Sequence, residues 1–549
     1  MSDGGFQPGP VRRPIGLETE FGVLRPDDPY ANPVVLSSQV VEAYRTAADV
    51  PAVRWDYEGE DPLADLRGGR IQRSAAHPSQ LTDDPTCPAP SGDAPPPAPW
   101  GSRARPGAAE AALPRATTAV LVNGARFYVD HAHPEYSSPE VLTPRDALIW
   151  DRAGEVVARR AMTALGDEGD GDGTPAEIVL YKNNVDGKGA AYGAHENYLV
   201  RRDVPFEELA AVLVPFLVTR PVLVGAGRVG IGQRSERPGF QISQRADYVE
   251  SEIGLQTTFN RPIINTRDEP HADNVRWRRL HVINGDANRF DVPIYLKVAT
   301  ADLLLWFLEQ AYTEGSGRFK EALARLKDLA IIGDPVEEHW ALSHDPTLSH
   351  ELRTQAGAMT ALEVQRAILD AVSPAVTRVE DVQAHRALAL WRQVLDALEQ
   401  WRHDGTGPAA QMVEWVAKYE LCEGLRRRSG TGWDDPRLAA LDIQWADLRP
   451  GRSVVDKLDA ADRIHRLVTD AEIQRAADTP PEGTRAAVRG TAIRRHRQIV
   501  GASWTCLLLD VPGTPALARL RLPDDVVVGP DETATILEEI GRRAEPERH

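Results

Sequence analysis

Residues 15–23, IGLETEFGV, alternate with the period of a β-strand, so that Ile15, Leu17, Phe21 and Val23 fall on one face and Glu18 and Glu20 fall together on the other. The device recurs. In ARFYVD, Ala125, Phe127 and Val129 oppose Arg126, Tyr128 and Asp130; in GFQISQR, Phe240 and Ile242 oppose Gln241, Ser243 and Arg245; in RRLHVING, Leu280 and Val282 oppose Arg279 and His281. A chain patterned this way must lay one face of a sheet on an apolar core and collect ionisable groups from several strands on the other.

The remaining sequence bounds what surrounds that sheet. With 549 residues and 42% apolar composition, the chain has room for two or more domains and a packed interior. From residue 296 the apolar spacing becomes helical, as in LKVATADLLLWFLEQAY, and stays so to about residue 475. Residues 83–107 are dense in proline and read as a disordered, solvated spacer within an insertion spanning 56–115. We therefore expect a catalytic domain over 1–475, interrupted by that insertion, and a small C-terminal domain over 476–549. In the latter, ASWTCLLLDV predicts a strand and DETATILEEIGRR a helix.

A net charge of −18 argues against non-specific nucleic-acid binding, which needs a basic surface. The most apolar run, 209–227, is broken by Pro215, Arg220 and Pro221, so no membrane span is predicted, and the first residues carry no apolar export segment. Cys87, Cys422 and Cys506 are few and scattered, which favours a reducing, cytoplasmic setting.

Carboxylates two apart on a strand point the same way, and hard divalent cations such as magnesium take oxygen ligands. Taken alone, Glu18 and Glu20 read first as the solvated outer face of an antiparallel sheet, and only second as ligands that hold one ion each or share one. Further polar positions shift the balance: Glu135, His195 and His281 are candidate ligands, and Arg245 and Arg267 are candidate clamps for phosphate oxygens. Together they describe a magnesium–nucleotide site. His133 and His271 read as hydrogen-bonded core histidines. The glycines of GAGRVGIG lack the lysine-serine pair of a phosphate loop. No serine lies in a nucleophile elbow and no cysteine has an activating partner, which leaves Asp130 as the candidate nucleophile or base.

The motifs GLETEFG, NGARFYVDHAHPEYS, YKNNVDGKGAAYGAHENYL, RPIINTRDEPHAD and RRLHVINGDAN resemble the enzymes of pupylation, a family related in fold to glutamine synthetase and the carboxylate-amine ligases. The resemblance runs from about residue 14 into the C-terminal segment. Within the family, RWDYEGEDPL, DHAHPEYS and VDGKGA resemble the branch that deamidates and removes Pup rather than the branch that ligates it. The fold this implies is α+β, a glutamine-synthetase-like curved antiparallel sheet backed by helices, with a small C-terminal α/β domain.

Carried over motif by motif, the resemblance implies that Asp130 is catalytic. It places Glu18, Glu20, Tyr128, Glu135, His195 and His281 around Mg2+, and Arg126, Ser138, Arg245, Arg267 and Trp504 on ATP, or on ADP plus phosphate. The implied activity is hydrolysis of the isopeptide bond between the C-terminal glutamate of Pup and a target lysine, together with deamidation of a C-terminal glutamine. Pup, pupylated proteins and a link to the proteasome follow as expected partners. A Pup–protein ligase and a non-enzymatic Pup-binding adaptor are the rival readings.

Overall fold

In the computed structural model, the alternating segment at 15–23 supplies a central strand of an eight-stranded sheet. The residues described are 10–76, 81, 98–107, 117–168, 177–186, 188–313 and 317–544. In spatial order the strands are Val249–Gly254, Arg261–Asn265, Trp277–Val282, Ala194–Arg201, Ile15–Glu20, His133–Ser137, Arg126–Asp130 and Thr118–Val120. Neighbours run antiparallel except the first two, which are parallel. The sheet is thus mixed, with helices behind it, and the fold is α+β as expected.

Residues 239–245 stay outside this sheet. Arg237–Gln241 pairs with Arg228–Ile231, the RVGI of GAGRVGIG, in a separate ribbon. The expected alternation stops at Gln241 because Asp286 accepts from Ser243 Oγ and from the backbone N–H groups of Gln244 and Arg245, which closes a local turn in place of a ladder.

One apolar cluster joins Ile15, Leu17, Tyr198 and Leu280 to the helices Phe206–Thr219, Asp291–Thr313, Ala361–Val376 and Val382–Asp404. Phe206–Thr219 is apolar on nearly every side, as a helix enclosed by others must be. The helical region begins at Asp291 and is interrupted by the hairpin Glu351–Thr354 and Gly357–Thr360. Among the described residues, no helix is long and apolar enough to cross a membrane.

A second cluster unites Phe21, Phe127 and the helix Pro33–Ala47 with C-terminal residues such as Val488, Ile493, Leu507 and Leu509. Above it lies a five-stranded sheet in the order Arg54–Trp55, Ile499–Ala502, Cys506–Leu509, Leu517–Arg521, Trp100–Arg103. Both edge strands come from the borders of the expected insertion. Part of the proline-rich run is therefore ordered: Trp100–Arg103 pairs with Leu517–Arg521, and Arg543 sits 4.2 Å over the Trp100 ring. The rest of the run, 82–97, lies outside the described residues. The strand expected in ASWTCLLLDV is Cys506–Leu509; it follows the strand Ile499–Ala502 through a turn in which Ser503 Oγ accepts from the Thr505 and Cys506 N–H groups. The C-terminal helix is Pro530–Ala544.

Candidate active site

Strand register assembles the polar face. Glu20 lies directly opposite Glu135, and Glu135 opposite Tyr128, while Glu18 lies between His195 on one neighbour and Ser137 on the other. Paired residues point to the same side, so one row carries Glu20, Glu135 and Tyr128 and the adjoining row carries His195, Glu18 and, beyond Ser137, Arg126.

Two ligand groups result. Ligand atoms of Glu18, His195 and His281 lie within 4.8 Å of one another, and so do those of Glu20, Asp130 and Glu135. His195 Nδ1 is 3.2 Å from Glu18 Oε2. His195 can lie flat there because the residue two before it is Gly193, where a Cβ would stand 2.3 Å from its Nε2. Tyr128 belongs to neither group and lines the row beside Glu135.

Asn197, two residues beyond His195, ties the first group together. Its Nδ2 donates to Glu18 Oε1 at 2.9 Å, and its Oδ1 is 2.8 Å from His281 Nδ1. The intervening Glu196 turns to the core, where Arg220 meets it with two bonds of 2.8 Å. Period two in HENY was the available signal for Asn197, obscured by a charged residue on the apolar side.

The electrostatics describe a cluster short of positive charge. Burial alone would raise Glu18, but the hydrogen bond with His195 and the charges of His281, His195 and Arg279 hold it below the usual carboxylate range. Glu20, raised by burial, is brought down to about 2 by His133, His195 and the Gly193 N–H. Glu135 goes the other way: burial and then the charges of Asp130, Glu18 and Glu20 push it well above its ordinary value. Burial with the Arg279 charge keeps His281 neutral and able to coordinate. Several carboxylates that cannot all ionise without a counter-charge, interleaved with neutral imidazole, suit a divalent cation; the oxygen-rich Glu20–Glu135 side matches magnesium best.

Basic residues flank this cluster. Arg126 stacks 3.8 Å from the Tyr128 ring centre and 4.1 Å from that of Trp55, with Nη2 donating to the Tyr57 hydroxyl at 3.1 Å. Arg267 is anchored by Glu269 at 2.6 Å. Arg245 is deeply buried, donating to the Tyr192 and Ile283 carbonyls, with its Nε unpaired; burial and the charge of Arg261 bring it down to about 9. Ser138 Oγ accepts from the Leu17 N–H at 2.9 Å.

Both histidines read as core residues lie at the site. His133 pairs in register with Asp130, with its Nδ1 3.5 Å from Glu20 Oε2 and its ring 4.5 Å from that of Tyr192. His271 is brought to about 4 by burial against the pull of Glu269, and it lines a cavity of about 80 Å³ with Glu18, Ser138, Arg279, Arg485 and Trp504. Trp504 meets Trp55 edge to face at 5.0 Å, and the Arg489 guanidinium lies 4.8 Å from the centre of the Trp504 ring. Glu18 belongs both to the lining of this cavity and to the first ligand group.

This sheet, with its carboxylate row and adjoining cavity, defines the class. The chain belongs to the Pup-ligase protein family, whose profile matches residues 13–508. It is 42% identical over 526 residues to the Pup deamidase/depupylase of Mycolicibacterium smegmatis, covering 93% of this chain and 95% of that one. It is also similar to the Pup–protein ligase of Nocardioides sp., at 38% over 388 residues, covering 70% of this chain and 82% of the ligase. Among solved structures, the complex between prokaryotic ubiquitin-like protein Pup and its ligase PafA superposes with a TM-score of 0.72 at 27% identity, over 97% of this chain and 92% of that one. The ligase PafA in complex with ADP gives 0.67 at 33% identity, over 78% and 90%.

Proposed function

We propose that this chain is a Pup deamidase and depupylase. It hydrolyses the isopeptide bond between the C-terminal glutamate of Pup and a target lysine, and it converts a C-terminal glutamine of Pup to glutamate. The observation that carries the reading is the position of Asp130 at the end of the carboxylate row, its oxygen within 4.8 Å of those of Glu20 and Glu135 and its side chain still partly open to solvent. Similarity to depupylases along 93% of the chain, against 70% for a ligase, supports hydrolysis over ligation.

In this reading Glu18, Glu20, Tyr128, Glu135, His195 and His281 surround Mg2+. Arg126, Ser138, Arg245, Arg267 and Trp504 contact the nucleotide; Ser138 and Trp504 line the adjoining cavity, and the related ligase's complex with ADP supports nucleotide binding. When bound, the magnesium nucleotide supplies positive charge against the oxyanion formed at the glutamyl carbonyl.

Asp130 works by one of two routes. Its carboxylate adds to the side-chain carbonyl carbon, the carbon–nitrogen bond breaks as the nitrogen is protonated, and water then opens the anhydride; or it takes a proton from the water that adds directly. Arg126 and Arg267 hold phosphate oxygens, and the partly open side of Asp130 admits the substrate and the water. Partners are Pup and pupylated proteins, with a functional link to the proteasome, in the cytoplasm.

The test is release of ammonia from Pup ending in glutamine by the purified protein with magnesium and ATP. The reading requires catalytic release that stops on chelation. No release above a protein-free control sinks it.

A further inference from the structure

The turn that follows Asp130 holds a side chain in an uncommon backbone conformation. His131 and Ala132 join the strands Arg126–Asp130 and His133–Ser137, and His131 has φ 50°, in the left-handed region that glycine enters freely and other residues seldom do, asparagine, aspartate and histidine most often among them. The surroundings hold it there. Asp130 pairs with His133 across the turn, Ser37, fully buried on the helix Pro33–Ala47, donates to the Ala132 carbonyl at 2.8 Å, and the Phe21 N–H donates to the Pro134 carbonyl at 2.9 Å. A strained position fixed from several sides beside a reactive group is where a side chain is retained for what it does rather than for how it folds.

The imidazole reaches back to its neighbour, with Nδ1 2.7 Å from Asp130 Oδ2. A carboxylate offers only acceptors, so the proton of this bond sits on Nδ1. The other groups crowding Asp130 are the carboxyls of Glu20 and Glu135; Glu20 is held ionised and repels it, and among the described residues neither makes a hydrogen bond to it. Among the described residues, His131 makes the one side-chain hydrogen bond to Asp130.

We infer that His131 is a positioning residue: its Nδ1–H pins Oδ2 of Asp130, against the repulsion of the Glu20 carboxylate, and so aims Oδ1 at the substrate carbonyl or the attacking water. The inference rests on the proposed hydrolytic function. It adds a residue to that site on geometry alone, since holding a reacting atom in line is worth large rate factors.

Two substitutions separate this role from a purely backbone one. His131→Gly suits the left-handed turn but removes the donor. His131→Asn also suits the turn, and its Nδ2 occupies the place of the imidazole Nδ1. The full-length variants are assayed with magnesium and ATP for ammonia release from Pup ending in glutamine, alongside nucleotide affinity and melting temperature. His131→Gly should lower kcat roughly 10- to 100-fold, with nucleotide affinity and KM little changed and melting temperature undiminished; His131→Asn should recover most of that loss. A His131→Gly protein that turns over like the wild type overturns the inference, and so does a His131→Asn protein as slow as His131→Gly. A silent wild type is the separate result that removes the hydrolytic reading, and this inference with it.

Discussion

At the scale of single residues, the two ligand groups and Asp130 carry distinct expectations. Asp130→Asn keeps the size and register of the side chain, so nucleotide should bind as before while hydrolysis falls by several orders of magnitude, as for reacting groups elsewhere. Calorimetry and a turnover assay on one preparation check both halves. Glu18→Gln removes a charge that His195 and Asn197 hold in place, and should weaken nucleotide binding at limiting magnesium several-fold; unchanged affinity there would exclude Glu18 from the cation site. Most of this site is legible from alternation, because the period of two decides which side chains share a face. What alternation hides is identity across strands. His133 looks like a core residue in the sequence because nothing local reveals that Asp130 is its register partner, and Asn197 is masked by Glu196, whose charge is matched only by Arg220, distant in sequence.

At the scale of elements, the join between the C-terminal segment and the main sheet depends on Glu140. It accepts from Arg485 Nε at 2.8 Å and from Arg489, both on the helix Arg485–Arg495, while Arg485 also donates to the His271 carbonyl at 2.6 Å beside the cavity. Burial would raise Glu140, but the two arginines bring it down to about 2. A carboxylate depressed on folding stabilises above its unfolded value and loses that contribution as the pH falls, here between its ordinary 4.5 and about 2. Glu140→Gln should therefore cost on the order of a few kcal/mol at neutral pH, and should flatten the acid limb of a stability-against-pH curve. A variant with the wild-type acid limb would rule that linkage out. The insertion makes a second case. Its composition suggests a spacer, and proline density does predict the absence of helix, but edge pairing between Trp100–Arg103 and Leu517–Arg521 joins residues some 400 apart, which no local signal encodes. Replacing residues 98–107 with Gly/Ser should lower the melting temperature by a few degrees; no shift would mean that the edge strand adds nothing to the C-terminal sheet.

For the whole molecule, one strand organises the rest. Ile15–Glu20 buries Ile15 and Leu17 in the helical core, sends Glu18 and Glu20 to the cation cluster, and forms a wall of the cavity that ends at Trp504. Sheet, helices and C-terminal segment thus meet around the polar face and the cavity beside it. The helix-backed sheet follows from the change of period along the chain; the contribution of both insertion borders to the C-terminal sheet does not, since strand order is set by packing between distant segments. The central claim is that this site breaks the bond to Pup and does not make it. The direct measurement is a gel time course of a purified Pup conjugate with ADP and phosphate, or with an ATP analogue that cannot transfer its γ-phosphate, run beside a ligation reaction of free Pup, target protein and ATP. The account predicts cleavage with either nucleotide supply and negligible ligation, because the nucleotide completes the electrostatic site without being consumed; robust ligation with no cleavage would contradict it.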